Sequence, residues 1–179
     1  MAFFEPLAAE GYEWVNAIQE RDYGVFLQFD GKPRAATWKP VAVRRVRADE
    51  HQASNPSDFP WLGSHALVMR PSAVVALRDI LDKSGEVLPL ATDDGVELFV
   101  LNACVIDALD ESKSKLTRFP GTNRVMRIKD VAFVASAIEG VDLFRLPHRA
   151  SSTYVSGRFA ERVKAAGLRG LVFNKVWQG

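Results

Sequence analysis

Residues 142–177 read DLFRLPHRASSTYVSGRFAERVKAAGLRGLVFNKVW, and this stretch decides the fold. Asp142-Leu143-Phe144-Arg145-Leu146 is a short apolar strand, closed by Pro147, which cannot continue a ladder. After a polar loop, Thr153-Tyr154-Val155 forms a second strand. Ser156 stands at a helix N-cap position, where its hydroxyl can accept from an otherwise unpaired amide. Phe159, Val163 and Ala166 recur at i, i+4 and i+7 as one apolar stripe. Gly167 supplies the left-handed residue that ends a helix, and Leu168 can fold back on Val163. Leu171 to Trp177 is a closing strand. Period, propensity and caps agree, which is the mark of a folded unit.

Working outward, the chain has 179 residues, of which 47% are hydrophobic. That suits one globular unit able to bury about 70% of the surface its unfolded form exposes. With 23 basic and 22 acidic residues the net charge is +1, a balance that argues against a dedicated nucleic-acid or membrane binder. The single cysteine, Cys104, forms no intrachain disulfide and fits a reducing compartment. It stands in the most apolar strand, which implies a buried, inert thiol. Met1 to Gly11 carries no basic stretch, and no apolar run approaches the ~20 residues of a membrane span. The expected setting is the cytoplasm.

Upstream, Tyr12, Trp14 and Asn16 alternate as in a weak strand, and Tyr23 to Phe29 reads as an aromatic, β-branched strand. Asp30-Gly31 then predicts a hairpin. Pro40 to Arg47 is a further strand with Val41 and Val43 on one face; Asp49 to Pro60 is a polar loop. Pro71 opens a helix whose stripe is Ala73, Val74, Leu77, Ile80 and Leu81, with Gly85 as its stop. Asp93-Asp94-Gly95 is a turn. Leu98 to Ile106 is apolar almost throughout, as a central strand covered on both sides would be. Arg118 to Lys129 predicts a hairpin through Gly121-Thr122-Asn123. The sum is an α+β fold, with a mostly antiparallel or mixed β-sheet and two main helices at about 71–83 and 157–166.

The chemistry-bearing residues are sparse. Asp107, Asp110 and Glu111 end the central strand. They read as a turn capped by its own carboxylates, the alternative being a metal site or an enzyme acting through them as an acid–base pair. His51, His65 and His148 share no ligand spacing, and no metal or cofactor is expected. No nucleophile elbow, phosphate loop or dinucleotide fingerprint is present. Arg44, Arg45 and Arg47 are the strongest basic run, with Arg45 and Arg47 on one strand face. They read as charge guarding an edge strand, the alternative being a nucleic-acid accessory surface. Trp38 and Trp61 flank loops, where an amphipathic ring can anchor a partner.

Several short motifs occur in a fixed order: Phe59-Pro60-Trp61, the helix 71–81, and Gly85-Glu86-Val87-Leu88-Pro89-Leu90. Val105-Ile106-Asp107-Ala108-Leu109-Asp110 follows, with Ser112 and Ser114, then Asp142 to Leu146. Tyr154-Val155-Ser156-x-Arg158-Phe159 and Ala166 to Phe173 complete the set. In this order they resemble immunity protein family 11 (Imm11) over about residues 38–177, with residues 1–37 as N-terminal strands packed on the same body. The resemblance implies a non-enzymatic inhibitor from a polymorphic toxin system of bacterial competition, which blocks a cognate toxin encoded next to it. It brings no catalytic residues. On the bottom-up reading, the toxin-binding residues to look for are Trp38, Arg45, Arg47 and Trp61, with Asp93 and Asp94.

Overall fold

The structure, a computed structural model, describes residues 1–46, 55–149 and 151–179. In chain order it begins with β1 (Ala2–Ala8), β2 (Trp14–Ala17), α1 (Tyr23–Leu27) and β3 (Ala42–Val46). Then come β4 (Val68–Met69), α2 (Pro71–Ala76), α3 (Arg78–Ser84), β5 (Gly85–Pro89), β6 (Ala91–Thr92) and β7 (Phe99–Ala103). The rest is β8 (Lys115–Arg118), β9 (Val125–Asp130), β10 (Leu143–Arg145), β11 (Thr153–Ser156), α4 (Gly157–Ala165) and β12 (Leu171–Gln178). This is an α+β fold with antiparallel and mixed sheets.

The C-terminal stretch folds as its pattern dictates. Ser156 caps α4 by accepting from the Phe159 amide at 3.2 Å. Gly167 takes φ +66°, and the Leu168 amide donates to the Val163 carbonyl at 3.1 Å. Ala166 leaves the stripe: it is exposed, so the buried face of α4 is Phe159 and Val163.

What the pattern of residues 142–177 could not supply is its missing strand. The sheet runs β10-β11-β1-β12, so the first residues of the chain lie between two of the last strands. Ala2 to Ala8 pair antiparallel with Leu171 to Gln178, and Phe3 and Phe4 also face Ser156 and Val155. Pro6 falls where β12 is the sole neighbour, the place a strand tolerates a residue without an N–H. Successive side chains leave opposite faces of a strand. Phe3 therefore enters one core with Phe144 and Phe133, its ring edge-on at 5.4 and 5.8 Å. Phe4 packs on the other, among Phe159, Leu77 and Ile80.

A second sheet, β4-β7-β5, has β7 in the middle. It is covered on both faces as its composition requires: Leu101 joins the core beneath α2–α4, while Val100 joins another around Phe26, Phe29 and Leu62. A third sheet, β2-β3-β6, lies over that last core, and β8 and β9 form the expected hairpin.

Four expectations are corrected. Residues 23–27 are helical, because Phe26 and Phe29 at i, i+3 both reach the core and pack edge-on at 5.8 Å; tertiary burial overrides the local β preference. Asp30-Gly31 turns, with Gly31 at φ +74°, but opens no hairpin; the Gly31 amide instead donates to Asn102 Oδ1 at 3.0 Å. The helix expected over 71–83 breaks at Leu77, whose φ of −110° separates α2 from α3. The bend keeps Ala73, Leu77, Ile80 and Leu81 all buried. Cys104 is partly exposed, one residue beyond β7.

Phe3 is fully buried between β11 and β12 neighbours. Phe3→Ala is expected to cost about 3–5 kcal/mol, the range for emptying an aromatic core site. The check is the midpoint of urea unfolding at constant slope; a loss below ~1 kcal/mol would mean that β1 is peripheral.

Candidate functional site

The third sheet places most of the sequence-derived site residues. Val15 and Val43 are fully buried on its inner face, so the alternation of β2 and β3 turns Trp14, Asn16, Arg44 and Val46 outward. Cross-strand register sets Trp14 opposite Val46 and Asn16 opposite Arg44. Trp14 is 50% exposed, Val46 41% and the adjoining Ile18 42%. Three large apolar side chains thus stand in water together on one open sheet face.

Beside them, the turn after β6 closes on β3. Arg44 Nε donates to Asp93 Oδ2 at 2.6 Å, and Arg45 Nε donates to Asp94 Oδ2 at 2.6 Å. Arg45 holds the Asp94 carboxyl below its ordinary pKa. Together with Asn16, Ile18 and Val46, these residues line an open cleft of about 490 Å³. β3 is the central strand of the sheet, but Arg44 and Arg45 lie past the end of β6, where one side of β3 is an open edge, as a charge-guarded edge would be. β3 is middle only as far as Val43, where β6 ends, and the two aspartates occupy the side that β6 leaves open. The charge that a nucleic-acid surface needs is not free on either arginine.

Arg45 also reaches inward. Its Nη1 donates to Glu13 Oε2 at 3.1 Å, and Arg70 Nη2 donates to Glu13 Oε1. The Ser57 amide adds a third bond at 2.9 Å. Burial pushes the Glu13 carboxyl up, but the Ser57 amide, Arg70 and Arg45 outweigh it and leave the pKa below its ordinary value. Glu13 was invisible to sequence reading, since a lone acid in a weak strand carries no signal of burial. The only trace was the parity of the strand, which puts Glu13 with Val15 and against Trp14.

The remaining expected residues scatter. Trp38 is half-buried; its Nε1 donates to the Pro89 carbonyl at 2.7 Å and its ring packs on Phe29. Trp61 is half-buried and lies against β2, its amide donating to the Glu13 carbonyl at 3.2 Å. Arg47 and His51 lie outside the described residues. In the loop before β8, Asp110 accepts from the Ser112 hydroxyl at 2.6 Å and pairs with Lys113, both of which lower its pKa, while Glu111 pairs with Arg118 at 2.7 Å. Asp107 is exposed. A carboxylate held low and tied to its own loop is a cap, not a proton donor. Among the described residues no group of three or more His, Cys, Asp or Glu could hold a metal ion, and no helix is long and apolar enough to cross a membrane.

Residues 95–178 match the model of the immunity protein family Imm11. No curated protein matches the chain. The match begins after the third sheet and takes in β7 to β12. The upstream motifs, Phe59-Pro60-Trp61, the helix 71–81 and Gly85 to Leu90, lie before it.

Two outcomes are expected. Glu13→Ala, which strands Arg45 and Arg70 without their shared carboxylate, is expected to cost about 3–5 kcal/mol in chemical unfolding; a near-neutral result would show that the network contributes nothing. His65, largely buried beside Arg145, has its pKa pushed down to about 4 from 6.5, by burial first and then by Arg145. The unfolded chain therefore binds a proton that the native state refuses, and stability falls as pH drops from 6.5 to about 4. The slope is about 1 kcal/mol per pH unit after screening at the partly exposed ring. His65→Gln is expected to flatten the urea midpoint between pH 6.5 and 5, and an unchanged slope would assign it elsewhere.

Proposed function

We propose that this chain, whose residues 95–178 match the model of the immunity protein family Imm11, neutralises a cognate bacterial toxin by direct protein–protein binding. The family match carries the reading. Inhibition by occupancy needs a stable scaffold and a surface, with no turnover and no cofactor, and it works one-to-one in the cytoplasm of the cell that makes the toxin. The partner is the product of the adjacent reading frame.

A family that shares a framework but serves different toxins must read each partner with positions outside that framework. The open face of β2 and β3 meets this condition, since Trp14, Ile18, Arg44 and Val46 all precede residue 95. It combines an exposed tryptophan and two aliphatic side chains with polar Asn16 and two arginine–aspartate pairs at its edge. That is the composition of a binding centre with a charged rim. Arg45, Asp93 and Asp94 act at that rim by holding each other in place, with Trp61 bonded to the edge of β2 away from β3.

Co-expression with the neighbouring gene product is expected to give a complex that survives purification and to relieve toxicity. Neither complex nor rescue would end the proposal. Within a complex, the double change Trp14→Ala and Val46→Asp is expected to weaken affinity by about thirtyfold, the ~2 kcal/mol of a central anchor. Unchanged affinity with the fold intact would move the interface off this face.

A further inference from the structure

Arg145 is buried to 3% exposure and is the one arginine so buried among the described residues. Elsewhere the buried or half-buried arginines meet carboxylates, as Arg45 and Arg70 meet Glu13. Arg145 forms no ion pair among the described residues. Its Nη1 donates to the Phe29 carbonyl at 3.5 Å and its Nη2 to the Ser151 carbonyl at 3.4 Å, both at the far end of bonding range, and its Nε has no acceptor. Two distant neutral carbonyls do not replace the water such a cation has lost.

The side chain lines a cleft of about 400 Å³ between α1 and the 146–149 segment. Arg149 and His148 stand at the same cleft, and Asp30, the one carboxylate lining it among the described residues, is already engaged by Arg34 at 3.1 Å and Lys32 at 3.6 Å. A second cleft of about 470 Å³ shares Leu27, Pro147, His148 and Arg149 with the first and runs on to the β8–β9 hairpin. There Arg124 lies over the Phe119 ring at 5.5 Å and, like Arg149, forms no ion pair among the described residues. Three arginines without counter-charges among the described residues therefore converge on one groove with an apolar floor.

We propose that this groove is an oxyanion-binding site, with Arg145 at its inner end, for a small organic molecule that carries a carboxylate or phosphate on a short apolar body. A guanidinium with an open donor is the group that takes such a head in charge-assisted hydrogen bonds. Leu27, Pro147 and Phe119 cover the body, and Arg149 and Arg124 draw the anion in. The site shares no residue with the β2–β3 face, and its test needs no toxin.

The intact protein is titrated with inorganic phosphate and, separately, with benzoate, at ionic strength held constant with chloride. The readouts are the NMR signals of the Arg145 Nε–H and of the amides of residues 27–30 and 146–149. A saturable shift with either anion supports the site: phosphate alone assigns a phosphate head, benzoate alone a carboxylate on an apolar body. Arg145→Gln is expected to weaken that binding by about tenfold or more, the weight of a charge-assisted bond. The exposed double change Arg124→Ala and Arg149→Ala, which leaves the core untouched, is expected to weaken it by about threefold or more. Absence of saturation with both anions overturns the proposal, and so does affinity unchanged in the double variant.

Discussion

Everything in this molecule depends on the antiparallel pairing of residues 2–8 with residues 171–178. β10 and β11 contact each other, but β12 reaches them only through β1. Without β1 the last strand has no partner and the two aromatic cores lose Phe3 and Phe4 together. A β-strand must satisfy its backbone groups laterally, so the closing sheet of a unit that looks local in sequence is completed by residues some 170 positions away. Long-range closure of that kind costs loop entropy before it returns contact energy, and the burial of Phe3 against Phe133 and Phe144 is what offsets it.

The polar interior follows the same logic at smaller scale. Glu13 is buried because three donors converge on it from three separate segments: Arg45 from β3, Arg70 before α2, and the Ser57 amide from the 55–60 loop. This ties the third sheet to the body and fixes the parity of β2, which in turn decides that Trp14 points to water. The exposed face proposed to read a toxin is thus held in place by a charge network on its reverse. Arg145 is the exception that defines the rule, a buried cation that meets no carboxylate among the described residues.

Much of the architecture was legible in the residues themselves. Ser156, the Phe159–Val163 stripe and Gly167 specify α4 and its two ends through local hydrogen bonds and helical period alone. The apolar run around Val100 and Leu101 announced a strand covered on both faces, because only a doubly buried strand dispenses with alternation. The ordered motifs of the C-terminal half resemble the Imm11 family, and residues 95–178 match that family's model. Of the surface, Arg45, Asp93 and Asp94 were singled out as charges, though not as each other's partners.

Tertiary structure alone decided the rest. Tyr23 to Phe29 carries strand-like side chains, yet Tyr23–Leu27 becomes helix, which lets Phe26 and Phe29, at i and i+3, find the same core. Trp38, an apparent anchor, is used internally through its bond to Pro89, whereas Trp14 is left in solvent by a register that no local pattern encodes. Composition and period determine most of the helices and strands and which of their faces are apolar, because those depend chiefly on neighbours within a turn or two. Which strands meet, which charges pair and which ring is left in solvent depend on contacts between distant residues, and these exist only once the chain has closed on itself.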